Sequence, residues 1–469
     1  MKMDRVLSTL AKCDYLILGA GPAGISAADY LVSKGLHVAV IDRGISDLAY
    51  YSATGKYELI KGYKAGGIGG ATQQWGGQLL RLGNSEYLNW KKKLGSSATM
   101  IEDLESETNV VLEKFKVTIP KYNNAKVVPG TNLSIINSYI PEEINLTRVF
   151  QSMLNSQYFH YIEGLEIISI ERIENNLYLK TKNSSLIEID KKILLLALGA
   201  VENTALLMRS ISNFTPQHYD NLGRNLKDHP HGVVFEVESS LLNWYKNYKI
   251  LGLNKRLKKT KIEFQVNVNG YIRGGIAEVH LIDSEVSFKN ELQIAIAEKS
   301  YEKVRRLFLR LCSTLFFTVF QKKVYFDKAN IWFQYEQSEN RDSILKPTRD
   351  GIIHEWQNSQ DDLDFISHAT RILQEYFENK GFNVSKVRKF QNLNELNLWS
   401  SEACHPSGTI PLSKDFSLGV ADFLGKIHAI PRTYLLGALL FPTAGWLNPT
   451  LLIMAYSRLV VSRILASVK

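Results

Sequence analysis

The sequence predicts an α/β fold, and its first fifty residues carry the evidence. Residues 14–18 form a short apolar strand that runs directly into a glycine-rich turn. Small and apolar residues then recur at helical spacing over residues 25–33, and Gly35 ends the helix. Residues 37–41 form a second, β-branched strand. This order is that of a βαβ unit, whose two strands run parallel in one sheet.

The composition is that of an ordinary globular protein, with 45% hydrophobic and 22% charged residues among 469. This length is enough for two structural regions, and the net charge of +9 favours anionic partners. The three cysteines, Cys13, Cys312 and Cys404, are widely spaced without a CxxC pair, so we expect no disulfide framework and no metal site. The few residues before the first strand do not resemble a secretory signal, and we expect a cytoplasmic protein.

The glycine-rich turn has the spacing GxGxxG, formed by Gly19, Gly21 and Gly24. The first glycine permits a tight turn, the second lets a pyrophosphate approach the backbone, and the third lets the helix pack against the strand. The phosphates would then meet the free N–H groups at the helix start. Asp42, at the end of the second strand, is placed to accept hydrogen bonds from ribose hydroxyls. These features predict a Rossmann-like site for an ADP-containing cofactor, either FAD or NAD.

Two further observations favour FAD. Pro22 and Ala23, between the last two glycines, resemble flavoprotein sequences. In addition, the sequence has no second GxGxxG that would offer a nicotinamide site. The lack of a second motif counts against a flavoenzyme of the disulfide-reductase type, which binds both cofactors.

Four later segments, taken together, resemble the glucose–methanol–choline (GMC) oxidoreductase family. Their order and spacing extend over nearly the whole chain, whereas residues 231–400 match the family only loosely. The segments are GGATQQW at 69–75, GAVENT at 199–204, LGRNLKDHP at 222–230, and a C-terminal run from HPSGT at 405–409 through FPT at 441–443 to NPT at 448–450.

The resemblance implies a p-hydroxybenzoate hydroxylase-like GMC fold, in which a Rossmann-like FAD-binding domain carries an inserted α+β substrate domain. We expect the FAD-binding domain to be discontinuous, comprising residues 1–90, 145–229 and 400–469. Residues 91–144 and 230–399 would then form the substrate-binding domain.

The resemblance also implies two catalytic residues. His405 stands at the position of the family's catalytic histidine, and a histidine suits a general base because its pKa lies near working pH. Asn448 stands where the family has His or Asn, and we expect its amide to hydrogen-bond the substrate oxygen. We expect His229, in a motif that resembles a domain junction, and His428 to have structural roles only.

The resemblance implies non-covalent FAD, because Gln74 stands where some sugar-oxidising members carry a histidine bonded to the flavin, and an amide cannot form that bond. The acidic residue that many members have before the FP segment is missing. The residues expected to contact FAD are Gly19, Gly21, Pro22, Ala23, Gly24, Asp42, Arg43, Gly69, Gly70, Gln74, Trp75, Gly199, Ala200, Asn203, Gly437, Ala438, Asn448, Pro449 and Thr450.

The function that the resemblance implies is oxidation of an alcohol to a carbonyl by hydride transfer to flavin N5. The loop at 69–75 and the FPT and NPT segments are most similar to those of carbohydrate oxidoreductases, so a sugar or glycoside hydroxyl is the expected substrate. Two alternatives stay open: a flavin hydroxylase or ketosteroid-type dehydrogenase that shares only the FAD fold, and an FAD-binding protein whose catalysis has lapsed. The electron acceptor and the oligomeric state are not predicted.

Two basic, aromatic-rich segments lie in the expected substrate region, at residues 244–261 and 303–323. Each has an ordinary explanation, a solvated loop for the first and a core helix with charged flanks for the second. Together they suggest a peripheral contact with anionic lipid at the inner face of a membrane, or a region that holds an anionic or lipid-linked substrate. Nucleic acid is not an expected partner.

Overall fold

The computed structural model describes residues 3–44, 50–52, 66–95, 99–215, 219–239, 258–268, 270–281, 328–347, 352–401 and 403–468. The helices are α1 (Met3–Leu10), α2 (Pro22–Ser33), α3 (Asn84–Leu94), α4 (Met100–Lys114), α5 (Leu146–Val149), α6 (Gln151–Leu154), α7 (Ala200–Ser210), α8 (Gln360–Asn379), α9 (Leu393–Trp399) and α10 (Thr450–Val468). The strands are β1 (Tyr15–Leu18), β2 (Val38–Asp42), β3 (Tyr50–Ser52), β4 (Lys126–Val127), β5 (Leu133–Tyr139), β6 (Phe159–Glu163), β7 (Ile167–Ile173), β8 (Asn176–Thr181), β9 (Leu186–Glu188), β10 (Ile193–Leu196), β11 (Leu226–Lys227), β12 (His231–Glu238), β13 (Lys258–Val268), β14 (Tyr271–Leu281), β15 (Lys328–Tyr335), β16 (Ile344–Pro347), β17 (Ile352–Glu355), β18 (Asn383–Ser385), β19 (Ser407–Gly408) and β20 (Thr433–Leu435).

A five-stranded parallel sheet, in the order β20-β10-β1-β2-β6, forms the first structural unit. Its central strands β1 and β10 are apolar and buried along their whole length, as is usual for parallel strands covered on both faces. Helix α2 begins at Pro22 rather than at residue 25, because proline suits the first turn of a helix. The predicted βαβ unit and the α/β fold class are confirmed.

A seven-stranded sheet, in the order β18-β12-β15-β14-β13-β5-β4, forms the second unit. Along β15 the odd-numbered residues are buried in a core shared with α8, whereas Asn330, Trp332 and Gln334 lie on the opposite face. The register places His231 of β12 and Glu278 of β14 on that same face. Gln334 donates a hydrogen bond from Nε2 to the carbonyl of Trp446 at 3.1 Å. The face defined by His231, Glu278, Trp332 and Gln334, called the polar face below, is therefore turned towards the chain segment that precedes α10.

Helix α10 packs against α2 and α4 in the first unit. Within it, Thr450–Ser467 is long and apolar enough to cross a membrane by length and composition alone, but 61% of this window is buried inside the protein. The hydroxyl of Ser26 in α2 donates to the carbonyl of Met454 in α10 at 3.0 Å. These contacts make α10 a core helix of the first unit.

A buried ion-pair network fixes α10 to its two partner helices. Arg458 binds Asp29 of α2 at 2.7 Å through Nη1 and Glu107 of α4 at 2.8 Å through Nε. The side chains of Arg458 and Asp29 are 7% and 5% exposed. Lys114 also binds Asp29, at 2.8 Å. Because the charges are buried, loss of one partner leaves another without compensation.

Substitution Arg458→Met should therefore destabilise the protein by about 3–5 kcal/mol, since it leaves the buried carboxylate of Asp29 paired only with Lys114. Arg463→Met is the matched control, because Arg463 lies at the surface of the same helix α10, where it pairs with Asp103 of α4. The control should cost about 0–1 kcal/mol. Denaturant unfolding of both variants measures the two free energies, and equal losses would show that the network does not fix α10.

The two sheets draw their strands from different parts of the chain. Strands of the first sheet come from residues 1–90, 145–229 and 400–469, and strands of the second come from residues 91–144 and 230–399. Helix α4, however, packs in the core of the first unit although it lies within 91–144, and β16 packs against α7 of the first unit. The exact domain boundaries stay a prediction. Of the two basic segments, only residues 258–261 are described, so the membrane contact also stays a prediction.

Candidate active site

Four segments predicted to bind the cofactor follow the carboxyl ends of the parallel strands. Gly19 directly follows β1, Asp42 ends β2, Gly199 comes shortly after β10, and Gly437 comes shortly after β20. In open α/β sheets, ligands bind in the crevice outside these strand ends. The fold therefore brings the four segments together at one edge of the first sheet.

The glycine turn is packed tightly except at its middle position. A Cβ atom on Gly24 would lie 2.0 Å from the carbonyl oxygen of Gly19, and one on Gly19 would lie 2.6 Å from the carbonyl oxygen of Ala197. A Cβ on Gly21 would meet no atom within 4 Å. The backbone around Gly21, at the start of α2, is therefore open to a ligand, as a pyrophosphate cradle requires.

The loop of residues 69–75 lies directly on this turn. The backbone N–H of Gly69 donates to the carbonyl of Ala20 at 2.8 Å, and a Cβ on Gly70 would lie 3.0 Å from the Cα of Gly21. Gln74 is exposed, whereas Trp75 is partly buried and donates from Nε1 to the carbonyl of Ile144 at 3.1 Å. Gly69 and Gly70 therefore lie beside the turn, and Trp75 anchors the loop. The predicted contact of Gln74 with FAD stays a prediction.

Asp42 has a local role that the sequence did not reveal. Its buried carboxylate accepts hydrogen bonds from the backbone N–H groups of Ala20, Gly44 and Gly67, each at 2.8 Å. Arg43 forms an ion pair with Glu202 at 3.1 Å. Asp42 thus joins the glycine turn to the loop before Gly69, in addition to the ribose contact predicted for it.

The segment at 199–204 forms the turn between β10 and α7. Asn203 is fully buried, accepts a hydrogen bond from the N–H of Leu198 and donates to the carbonyl of Leu196, both at 3.2 Å. Gly199 has a φ of +86°, which glycine tolerates, and Ala200 begins the helix. Asn203 therefore shapes this turn from within, and its predicted contact with FAD stays a prediction.

Two C-terminal segments contain the remaining residues predicted to contact the cofactor. Gly437 has a φ of +104°, and a Cβ there would lie 3.9 Å from the Cβ of Ala23 in α2. Ala438 begins the short 3-10 helix that follows. Asn448, Pro449 and Thr450 lie at the N-terminus of α10, where Asn448 is partly buried.

His405 is held in place by the buried carboxylate of Asp228. The N–H of His405 lies 3.1 Å from both oxygens of Asp228, and the N–H of Ala403 donates to one of them at 3.1 Å. Cys404, between them, has a φ of +61°, an uncommon conformation for a residue other than glycine. Burial raises the pKa of Asp228 to about 6, although the backbone N–H groups of His229, His405 and Ala403 act to lower it.

His229 contacts the ring of His405, and sequence reasoning missed this contact. The two Nδ1 atoms lie 3.1 Å apart. His229 is 1% exposed, and its Nε2 lies 3.3 Å from the carbonyl oxygen of Ala444. Its Nδ1 also lies 3.2 Å from Nε2 of Gln334 on the polar face. The DHP motif at 228–230 was the sequence signal for this contact, but the motif alone does not show that the fold places His405 beside it.

His428 has a contact that suits its expected structural role, since its Nε2 lies 2.8 Å from the carbonyl oxygen of Ser413.

The surroundings of His405 favour its neutral form. Burial lowers the pKa of His405 well below its ordinary value, and the neighbouring His229, His231 and Lys261 lower it further. Lys261 is fully buried and pairs with Glu278 at 2.5 Å. A neutral imidazole keeps one lone pair, so His405 presents a proton acceptor at neutral pH. Its lowered pKa makes it a weaker base than the histidine of near-neutral pKa expected from sequence.

Three buried carboxyl groups hold the segment before Asn448. Glu86 accepts the N–H of Trp446 at 3.1 Å, Glu263 accepts Nε1–H of Trp446 at 2.9 Å, and Glu336 accepts the N–H of Gly445 at 3.0 Å. Burial raises the pKa of Glu86 to about 8 and raises those of Glu263 and Glu336 as well. The cluster thus favours protonated carboxyl groups and couples this segment to the second sheet.

Comparisons with known proteins agree with this architecture. A family model described as GMC oxidoreductase matches residues 338–457, a stretch that includes His405 and Asn448. The crystal structure of pyridoxine 4-oxidase from Mesorbium loti matches with a TM-score of 0.60 at 12% identity, covering 97% of this chain and 99% of that one. At such low identity the structural match shows the fold alone. The sequence has no significant match among curated proteins.

The predicted resemblance to GMC oxidoreductases is confirmed by the family match over residues 338–457, and the predicted fold is confirmed by the structural match. Members of this family are flavoproteins that oxidise alcohols with FAD. The residues present fit this cofactor, because the open backbone at Gly21 offers room for its pyrophosphate beside the N-terminus of α2.

Substitution Gly21→Ala should weaken FAD binding at least tenfold, or by about 1.4 kcal/mol, because its methyl group would fill the cradle. The fold should tolerate this substitution, since no atom lies within 4 Å of the new Cβ. Gly24→Ala should instead destabilise the protein itself, because its Cβ would lie 2.0 Å from a carbonyl oxygen. FAD titration and denaturant unfolding separate the two effects. Unchanged FAD affinity in Gly21→Ala would place the pyrophosphate elsewhere.

The raised pKa of Glu336 predicts a pH-dependent stability. Its folded-state pKa lies above its unfolded value, so its contribution is complete at low pH and is lost as pH rises through the folded-state pKa. Glu336→Gln cannot titrate, so the variant should gain stability relative to the unsubstituted protein between pH 5 and pH 8. Unfolding free energies of both proteins at the two pH values test this. A difference that stays constant would show that Glu336 is ionised throughout.

Proposed function

We propose that this protein oxidises a hydroxyl group to a carbonyl, with His405 as the base that takes the hydroxyl proton. Bound FAD would supply the hydride acceptor. One observation carries the assignment: Asp228 and His229 hold a neutral His405 at the junction of the two units. A single base then suffices for the proton, since Asn448 can orient the substrate oxygen but cannot titrate.

The junction also connects the loop of His405 to α7 and to the chain segment before α10. Thr409, four residues after His405, shares a hydrogen bond of 2.8 Å with Thr204 in the first turns of α7. His229 reaches the carbonyl of Ala444, and the chain from Ala444 leads through Asn448 into α10. These contacts support a substrate position between the crevice and the polar face.

We further propose a carbohydrate hydroxyl as the substrate. On the polar face, the ring of Trp332 lies between His231 and His280, with ring centroids 5.6 and 5.3 Å away. A flat indole flanked by hydrogen-bonding rings suits a sugar, which has an apolar face and a polar edge. The same rings also suit an aromatic alcohol, and pyridoxine, named in the structural match, makes that class the second candidate.

We propose that FAD is held without a covalent bond, because Gln74 supplies an amide at the exposed end of the 69–75 loop. Denaturation followed by filtration should then release all the yellow colour from the chain. Colour that stays on the protein would contradict this part of the proposal.

Anaerobic mixing with an alcohol should bleach the flavin without any added nicotinamide. The panel contains free sugars, glycosides, nucleotide sugars and pyridoxine, and the fastest member identifies the substrate class. His405→Ala should slow flavin reduction by about 10²- to 10⁴-fold, the usual contribution of a general base. The control His428→Ala, in a separate loop, should keep the rate.

The outcomes separate the alternatives. Reduction of His405→Ala at the unsubstituted rate would mean that another group takes the proton. A flavin that no alcohol bleaches would favour an FAD-binding protein without this catalysis. Bleaching that requires a nicotinamide would favour a flavin hydroxylase.

A further inference from the structure

We propose that His229 is a positioning residue that fixes the tautomer of His405, so that Nε2 of His405 carries the lone pair that accepts the substrate proton. The proposal rests on the function proposed above for His405, and it gives a role to a histidine expected from sequence to be structural. It follows from four contacts around two rings.

The first contact fixes the proton on His229. Nε2 of His229 lies 3.3 Å from the carbonyl oxygen of Ala444. A carbonyl oxygen only accepts hydrogen bonds, so this nitrogen carries the hydrogen. His229 is buried, and burial lowers its pKa to about 4, which keeps the ring neutral at neutral pH. A neutral ring with hydrogen on Nε2 has an unprotonated Nδ1.

The amide of Gln334 independently requires the same tautomer. Its Nε2 lies 3.1 Å from the carbonyl oxygen of Trp446 and 3.2 Å from Nδ1 of His229. An amide nitrogen has two hydrogens, and here one is donated to each partner. Nδ1 of His229 is therefore an acceptor.

The remaining contact transfers this constraint to His405. Its Nδ1 lies 3.1 Å from the same Nδ1 of His229, and two ring nitrogens at this distance share a hydrogen bond only if one of them carries hydrogen. Since Nδ1 of His229 carries no hydrogen, Nδ1 of His405 donates, and the single lone pair of Nδ1 in His229 is shared between this donor and the amide of Gln334. Neutral His405 then has its lone pair on Nε2.

The environment of the pair keeps both rings neutral. The charged and titratable groups around them come from separate elements: Asp228 before β12, His231 in β12, Lys261 in β13 and Glu278 in β14. Asp228 contacts the backbone of His405 rather than its ring, so its carboxylate fixes the position of the loop. His229 therefore determines which ring nitrogen of His405 carries the proton.

The matched variants His229→Leu and His229→Asn separate loss of the hydrogen-bond acceptor at residue 229 from loss of folding. Both replacements have similar size, and both remove the hydrogen bond to Ala444. Only asparagine can present an oxygen near the former Nδ1 position. Loss of folding would affect the two variants alike, whereas loss of the acceptor would affect leucine alone.

The direct measurement is long-range ¹H–¹⁵N NMR of the holoenzyme labelled with ¹⁵N-histidine, in which the ring nitrogen shifts report the tautomer. The His405 signals are assigned by comparison with His405→Ala. We expect hydrogen on Nδ1 of His405 in the unsubstituted protein and in His229→Asn, and a shift towards Nε2–H in His229→Leu. Flavin reduction should fall by about 10²- to 10⁴-fold in His229→Leu and by less than about tenfold in His229→Asn, with little change in KM.

Hydrogen on Nε2 of His405 in the unsubstituted protein would overturn the proposal, and this spectrum is decisive even if the leucine variant does not fold. An unchanged tautomer in His229→Leu would also overturn it. The NMR result does not depend on any substrate. If no alcohol bleaches the flavin, the proposed function fails while the tautomer assignment is still decided.

Discussion

The candidate site depends on one buried carboxylate. Asp228 lies shortly before β12 and accepts hydrogen bonds from the backbone N–H groups of His229, Ala403 and His405, which come from chain segments far apart in sequence. A buried carboxylate is costly to leave unpaired, so these hydrogen bonds fix the loop that carries His405. Without Asp228, the left-handed backbone at Cys404 would lack this anchor, and Nδ1 of His405 would not be held 3.1 Å from Nδ1 of His229.

The rest of the structure places this anchored loop between two preformed surfaces. On one side, the carboxyl ends of the parallel strands lead into the glycine turn, the 69–75 loop lies on that turn, and α10 packs against α2. On the other side, the polar face contributes Gln334, which contacts both His229 and the carbonyl of Trp446. The carboxyl groups of Glu263 and Glu336 in the second unit and of Glu86 in α3 fix the segment at 445–446. Each unit therefore supplies part of the site, and neither sheet alone contains it.

Local features could be predicted from the sequence, whereas features that depend on distant contacts could not. The GxGxxG turn and its flanking strands follow from residues close together in the chain, and the structure confirms that βαβ unit. The family resemblance was predicted from motifs in their order, and the family match confirms it over residues 338–457. The contact of His229 with His405 escaped prediction because it requires the second sheet to bring the DHP motif to the C-terminal loop. The packing of α4 in the first core was not predicted for the same reason. The ion-pair partners of α4, Asp29 and Arg458, lie at opposite ends of the sequence.

The central claim is that Nε2 of His405 is the base of an FAD-dependent alcohol oxidation. A crystal structure of the holoenzyme with a slowly reacting or inhibitory alcohol tests it most directly. The account predicts the alcohol oxygen about 2.6–3.2 Å from Nε2 of His405, with Nδ1 still directed at His229. An alcohol oxygen that instead contacts another titratable side chain, or a His405 ring whose Nδ1 faces the alcohol, would contradict it.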